Sequence, residues 1–139
     1  MISKELLSEV LFDGRVEVKW FGVNGNTLDY SLFCSLNQLK GTDYNKDIPN
    51  NYYTTEQNIY ENINIYELSH KCKEWAHREY DAIIYSAVCN GCQSARLHFR
   101  GRAFGGLQNG EVKEFNYGLE YISIIKACEW ILEEKENEY

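Results

Sequence analysis

The sequence is poor in proline, histidine and positive charge, and it contains no long apolar run. Pro49 is the one proline among 139 residues, and there are three histidines. The longest apolar stretches, such as Ala82–Val88, are far shorter than the roughly 20 residues that a membrane-spanning helix needs. No basic segment followed by an apolar one opens the sequence, so no secretory signal is visible. We therefore expect a protein of the cytoplasm without a membrane partner.

The shortage of lysine and arginine leaves a formal net charge of -7 at pH 7. Sequence-independent binding to duplex nucleic acid draws its affinity from basic side chains that neutralise phosphates. We therefore expect no duplex DNA among the partners, unless a local basic patch overrides the overall charge. The acidic run near the C-terminus is typical of a solvated helix end, and a surface that mimics nucleic acid is the alternative.

The composition indicates one folded domain that spans residues 1–139. A hydrophobic content of 44% with 25% charged residues excludes a wholly disordered chain. The length suits a single hydrophobic core. The sequence shows neither an internal repeat nor a linker rich in glycine and serine, so nothing divides it into two units.

Five cysteines without a visible secretory signal predict reduced thiols rather than a disulfide framework. Cys72 and Cys128 fall within helical patterns, where a free cysteine behaves as a small buried hydrophobe. Cys89 and Cys92 have the spacing of a zinc knuckle, which is only half of a tetrahedral site. Because their spacing also fits a hairpin turn, we favour two unpaired thiols, with zinc or redox chemistry as alternatives. No cofactor is predicted.

Local signals predict two helices in the first half of the chain, one near the N-terminus and one that begins near residue 64. A short helix begins at Ser3 as N-cap and ends at Asp13-Gly14. A β-hairpin follows around residues 24–26, where the alternation of apolar residues favours a three-residue loop with Asn26 in a left-handed conformation. Residues 35–63 are polar and predict a long loop, with a helical turn near residues 55–60. A second helix begins at the N-cap Asn64 and runs to about residue 79.

The second half predicts another hairpin, a third strand and a final helix. Asn90-Gly91 is the preferred pair for a two-residue type I′ turn, and it places Cys89 opposite Cys92. A strand over residues 111–117 and a helix over residues 119–135 complete the chain. The fold class is α+β, with one antiparallel sheet of about five strands, made of two hairpins and one strand. This sheet packs against two main helices and is accompanied by the short N-terminal helix.

The most distinctive surface feature is a concentration of arginine in an acidic protein. Alternation along the strand puts Arg96, His98 and Arg100 on one face, and the hairpin register places Tyr85 across from Arg96. Guanidinium groups bind phosphate or carboxylate through paired hydrogen bonds. The face therefore predicts either a binding site for an anionic ligand or partner, or arginines that pair with the protein's own carboxylates.

Two loops extend this candidate site. Beyond the strand, a glycine-rich loop carries Arg102 and Phe104, and an aromatic ring at this place suits the stacking of a base. In the long polar loop, Tyr44, Tyr52 and Tyr53 are candidate contacts for a partner protein, because tyrosine supplies a large contact area at a low entropic cost. No spacing in the sequence brings a nucleophile within reach of a base, so no catalytic residue and no enzymatic activity are predicted.

Three segments resemble small phage and prophage accessory proteins of uncharacterised function: residues 2–11, 64–76 and 125–132, all of which form predicted helices. The resemblance implies a role in the conflict between phage and host, where such proteins often inhibit a host defence protein by binding it, as anti-CRISPR proteins do. The predicted function is therefore that of a non-enzymatic, anti-CRISPR-like inhibitor whose partner is a host defence effector. The alternative is a protein that sequesters a nucleotide signal or another phosphorylated small molecule. The oligomeric state is left open.

Overall fold

The computed structural model describes residues 2–35, 56–89, 91–101 and 103–137. In chain order, the elements over these residues are α1 (Lys4–Phe12), β1 (Glu17–Asn24), β2 (Thr27–Ser35), β3 (Glu56–Asn64), α2 (Ile65–Tyr80), β4 (Ala82–Cys89), β5 (Cys92–Phe99), β6 (Lys113–Asn116) and α3 (Glu120–Asn137). The strands form two antiparallel sheets, with the order β1-β2-β3 in sheet 1 and β4-β5-β6 in sheet 2. The α+β class is confirmed.

The prediction of one sheet with about five strands is wrong, because the described strands form two separate sheets of three strands each. Residues 56–64, which the polar composition assigned to a loop and a helical turn, form β3 and pair with β2 along its whole length, from Thr27 opposite Asn64 to Ser35 opposite Glu56. Asparagine and glutamate are depleted in strands, so local composition favoured a loop. Pairing with a neighbouring strand outweighs that preference, and it completes a separate sheet.

The first hairpin has the predicted alternation but a different turn. The strands close with Asn24 opposite Thr27, which leaves a two-residue loop in which Gly25, rather than Asn26, takes a left-handed φ of 63°. A bulge between Trp20 and Gly22 leaves Phe21 as an extra residue, and beyond it even positions of β1 pair with even positions of β2, as in Trp20 opposite Tyr30. The core side of this hairpin carries five buried residues. They are Val16, which precedes β1, and Val18, Leu28, Tyr30 and Leu32.

The predicted helix starts are confirmed by their capping contacts. The Ser3 hydroxyl accepts a hydrogen bond from the Leu6 amide at 3.1 Å, and α1 ends at Asp13, whose φ is 54°. The Asn64 side chain accepts from the Tyr66 amide at 2.8 Å. These contacts satisfy amide groups that have no partner within the helix. None of the described helices combines the length and apolar character that crossing a bilayer requires.

The second hairpin matches the predicted register at every pair, from Cys89 opposite Cys92 to Ala82 opposite Phe99. Gly91 supplies the left-handed φ of 79° that the turn needs. β6 is shorter than predicted and pairs with β5, which makes β5 the central strand of sheet 2. Helices α2 and α3 pack against this sheet and each other, and α1 packs against β1 and contacts both longer helices.

An aromatic cluster, defined as Tyr80, Phe99, Phe104, Phe115 and Trp130, joins sheet 2 to α2 and α3. Phe104 lies at its centre, with ring centroids 4.6 Å from Phe99, 5.6 Å from Tyr80 and 6.1 Å from Trp130. The ring is only 4% exposed. The expectation that Phe104 contacts a ligand is therefore wrong, because the glycine-rich loop folds this ring back into the core.

A tight turn at Gly105-Gly106 brings Phe104 into the aromatic cluster. The amide of Phe104 donates to the Leu107 carbonyl and the amide of Leu107 donates to the Phe104 carbonyl, both at 2.9 Å. Gly105 has a φ of 56°, and a Cβ atom there would lie 2.7 Å from the Trp130 ring. The neighbouring Gly106 has a φ of 85° but no atom within 4 Å of such a Cβ.

These neighbouring glycines form a matched pair for testing the packing against Trp130. Gly105→Ala and Gly106→Ala both introduce strain at a positive φ, but only Gly105→Ala also overpacks the aromatic cluster. We expect Gly105→Ala to lower the free energy of unfolding by about 1–3 kcal/mol more than Gly106→Ala, as overpacking typically does. Denaturant titration of both variants measures the difference, and equal losses would contradict the packing.

Candidate functional site

The open side of sheet 2 is set by the alternation of residues along β5. Ala95, Leu97 and Phe99 point to the helices and are at most 1% exposed. Arg96 and His98 point the other way and are half-buried. The sequence-based placement of these two side chains is therefore confirmed. We call Tyr85, Arg96, His98 and Glu114 the arginine face.

The arginine face places its one guanidinium between an aromatic ring and a carboxylate. Arg96 lies opposite Tyr85 on β4 and opposite Glu114 on β6. The Tyr85 ring is exposed and meets the His98 ring edge to face, with centroids 6.2 Å apart. Because all four side chains stand on paired strands, their relative positions are held by the backbone hydrogen bonds of the sheet.

Arg96 has no ion-pair partner among the described residues. The described part of the chain contains four ion pairs, Asp13–Arg15, His70–Glu74, Arg78–Glu79 and Lys126–Glu129. Neither Arg96 nor Arg100 takes part in them, although Glu114 stands on the neighbouring strand. The alternative, in which these arginines pair with the protein's own carboxylates, is therefore not seen among the described residues.

Of the other predicted contacts on the strand and in the loops, the structure describes Arg100 and Phe104. Arg100 is exposed and lies one residue beyond β5, where its amide donates to the Asp81 carbonyl at 3.1 Å. Gly101, with a φ of 78°, then turns the chain. Arg102 and the tyrosines at positions 44, 52 and 53 lie outside the described residues.

Metal-binding groups are not clustered in the described part of the chain. No three histidine, cysteine, aspartate or glutamate side chains come together there in a way that would hold a metal ion. Cys92 is a free, half-buried thiol opposite Cys89, whose side chain is outside the described set. His70 contacts Glu74 at 2.9 Å one helical turn away, on an exposed face of α2.

Cys72 and Cys128 face each other across the contact between α2 and α3. Both are fully buried, and the Cys128 thiol donates to the Cys72 carbonyl at 3.5 Å. Burial, together with the hydrogen bond to Cys72, raises the pKa of the Cys128 thiol well above its ordinary value. Since the thiolate is the reactive form, this cysteine is a packing residue, as its helical pattern predicted.

Sequence reasoning missed an exposed aromatic pair on the open side of sheet 1. The rings of Phe21 and Tyr60 stack with centroids 6.0 Å apart and planes at 23°, although they are 61% and 70% exposed. The signal for Phe21 was present, because its odd position in β1 alternates with the even, buried positions Val16 and Val18. Tyr60 carried no such signal, since its segment was assigned to a loop.

Compared with known proteins, the chain matches no family model, no curated protein and no solved structure. The resemblance to phage accessory proteins therefore stays a prediction that its three helical segments carry. Two of these segments lie in the N-terminal part of α2 and the middle of α3, and the third includes most of α1. None of them includes a residue of the arginine face.

The burial of the two helical cysteines predicts their reactivity. At pH 8 we expect a maleimide to modify Cys92 in the folded protein, whereas Cys72 and Cys128 stay unmodified until denaturant is added. Mass spectrometry of peptides after timed labelling distinguishes these residues. Modification of Cys128 at the rate of Cys92 would contradict its burial and its raised pKa.

Proposed function

We propose that the chain is a non-enzymatic binding protein that docks onto an acidic surface of a partner protein through the arginine face. The observation that carries the proposal is Arg96, a half-buried guanidinium on the central strand of a sheet without an ion-pair partner among the described residues. A group held in this way supplies an unused positive charge at a fixed position.

The position of Arg96 favours binding, because a residue held on the central strand loses little conformational entropy when a partner binds. Its backbone is fixed by strands on both sides, with Tyr85 and Glu114 as its register partners on those strands. Holding a side chain in place before association lowers the entropic cost of binding. Arginine and tyrosine are also the side chains most enriched among the residues that dominate protein interfaces.

The net charge of -7 opposes the approach of an acidic partner only at long range. At physiological ionic strength, charges separated by more than about 8 Å are largely screened. A carboxylate that reaches Arg96 directly forms a charge-assisted pair that survives this screening, since both groups leave bulk water. Local pairing therefore outweighs the overall charge at contact distance.

The resemblance to phage accessory proteins supplies the biological setting of this proposal. In that setting the partner is a component of the host's antiviral defence, and the chain inhibits it by covering its surface in the manner of anti-CRISPR proteins. The support for this step is the similarity of the helical segments. The arginine face supports binding as such and leaves the identity of the partner to experiment.

Capture of a nucleotide or another phosphorylated small molecule is the weaker alternative. Arg96 suits a phosphate as well as a carboxylate. However, Phe104, the ring expected to stack against a base, is buried in the aromatic cluster. Among the described residues, Tyr85 and His98 are then the rings left near Arg96, and they sit on an open sheet surface that suits a macromolecule better than a small ligand.

Exchange of single side chains on the arginine face tests the proposal. With the protein as bait in bacterial lysate, we expect at least one protein to be recovered by the unaltered chain and lost with Arg96→Ala and with Tyr85→Ala. Arg78→Ala is the matched control, because this arginine is exposed on α2 and already paired with Glu79 at 3.1 Å. Quantitative mass spectrometry of the recovered proteins measures the difference.

Recovery that Arg78→Ala reduces as much as Arg96→Ala, or that neither variant changes, would contradict the role of the arginine face. A melting temperature that rises by several degrees with a cyclic or adenine nucleotide, and no longer does so in Arg96→Ala, would favour the small-molecule alternative, since a ligand stabilises by mass action. Unchanged melting curves of the free variants serve as the control for folding.

A further inference from the structure

The open side of sheet 1 carries a shallow cavity beside the stacked, exposed aromatic rings. Asp29, on the central strand β2, lies opposite Gly22 on β1 and Asn62 on β3. Phe21 is the extra residue of the bulge between Trp20 and Gly22, and its ring stacks on that of Tyr60, which stands on β3 two residues before Asn62. The cavity has a volume of about 210 Å³, and its lining residues are Phe21, Asp29, Tyr30, Tyr60, Glu61 and Asn62.

The aromatic pair leaves a large apolar area in water and contributes little to the stability of the sheet. Phe21 lies on β1 and Tyr60 on β3, with β2 between them, so the two rings are not a directly opposite pair on neighbouring strands. Phe21 and Tyr60 keep 61% and 70% of their surface exposed, so their mutual contact buries only a small part of either ring. Large exposed aromatic surface of this kind is typical of binding sites.

The charge of the cavity selects a cationic ligand. Asp29 is half-buried and, like Glu61, takes part in none of the ion pairs among the described residues. The faces of aromatic rings attract cations through their quadrupole. Two rings beside an unpaired carboxylate therefore favour a positive group and disfavour a phosphate or a carboxylate.

Among protein side chains, arginine matches both parts of the cavity. Its planar guanidinium stacks on aromatic faces and also forms paired hydrogen bonds with a carboxylate, whereas the ammonium of lysine is a point charge that stacks poorly. The net charge of -7 further favours the approach of a basic segment. Lys19 stands opposite Ser31, which is two residues from Asp29 on β2 and therefore on the same face, and the charge of Lys19 opposes a cation there.

We propose that this cavity binds an arginine side chain of a partner protein, with the guanidinium stacked on Phe21 and Tyr60 and hydrogen-bonded to Asp29. This site is separate from the arginine face and is made from different strands of a different sheet. The proposal names the chemistry of a second contact, so it stands or falls independently of the role of Arg96.

A titration with defined peptides tests the proposal. The probe is the capped tripeptide Gly-Arg-Gly, and its matched control contains citrulline, which has nearly the shape of arginine but no charge. With isotope-labelled protein, we expect the arginine peptide to shift the backbone amide resonances of Gly22, Asp29 and Tyr60, with a Kd on the order of millimolar. The citrulline peptide should shift them at least tenfold less at equal concentration.

Variants of the cavity separate its two contributions. Asp29→Asn keeps the size of the side chain and removes its charge, and we expect it to weaken binding about tenfold or more. Tyr60→Leu keeps an apolar side chain and removes the ring, and it should weaken binding about two- to fivefold. Tyr66→Leu is the matched control, because Tyr66 is also exposed, at 58%, but lies on α2.

Two further variants give opposite expectations. Lys19→Gln should tighten binding of the arginine peptide, since it removes a like charge from the same face. Arg96→Ala should leave the titration unchanged, which separates this site from the arginine face. Equal shifts by the citrulline peptide, an unchanged Kd in Asp29→Asn, or no shift at all on sheet 1 would each overturn the proposal.

Discussion

The alternation of side chains along paired strands is the constraint on which the rest of this structure depends. Each sheet turns one side towards a shared set of three helices, and that side supplies the buried residues of a single core. Among the described elements, the helices cover one side of each sheet. The other side must then be built from residues that tolerate water, and it is there that Arg96 and Asp29 stand.

Where local signals and the core agreed, the sequence predicted the structure well. The Asn-Gly turn at residues 90–91 and the apolar alternation around it both specify the same register, and every predicted pair of this hairpin is present. The caps at Ser3 and Asn64 are equally local, since each needs only its own side chain and the next turn of helix. Because Arg96 follows from the same register, its place on the open side was predictable too.

The errors come from contacts that no local pattern contains. β3 is polar in composition, and it is a strand because β2 offers it a complete row of backbone partners. Phe104 follows two arginines and precedes two glycines, which is typical of an exposed loop, yet a turn tightened by Gly105 folds its ring against Trp130. The aromatic pair on sheet 1 also depends on such contacts, because Tyr60 lies on β3 and Phe21 is the extra residue of the bulge in β1.

The two open faces carry complementary chemistry. Sheet 2 presents a guanidinium beside a tyrosine, and sheet 1 presents a carboxylate beside two aromatic rings. Both are rigid surfaces rather than enclosed sites, which suits the recognition of a macromolecule with charges of both signs. The proposed docking onto a partner protein would use the charges of both faces.

The most direct measurement of the central claim is the rate at which each aromatic ring reacts with hydroxyl radicals in the free protein, read by mass spectrometry of its peptides. The account predicts rapid oxidation of Phe21, Tyr60 and Tyr85 and slow oxidation of Phe99 and Phe104, because the first three stand on the open sides and the last two in the core. Oxidation of Phe104 as fast as that of Tyr85, or protection of Phe21 and Tyr60, would contradict it.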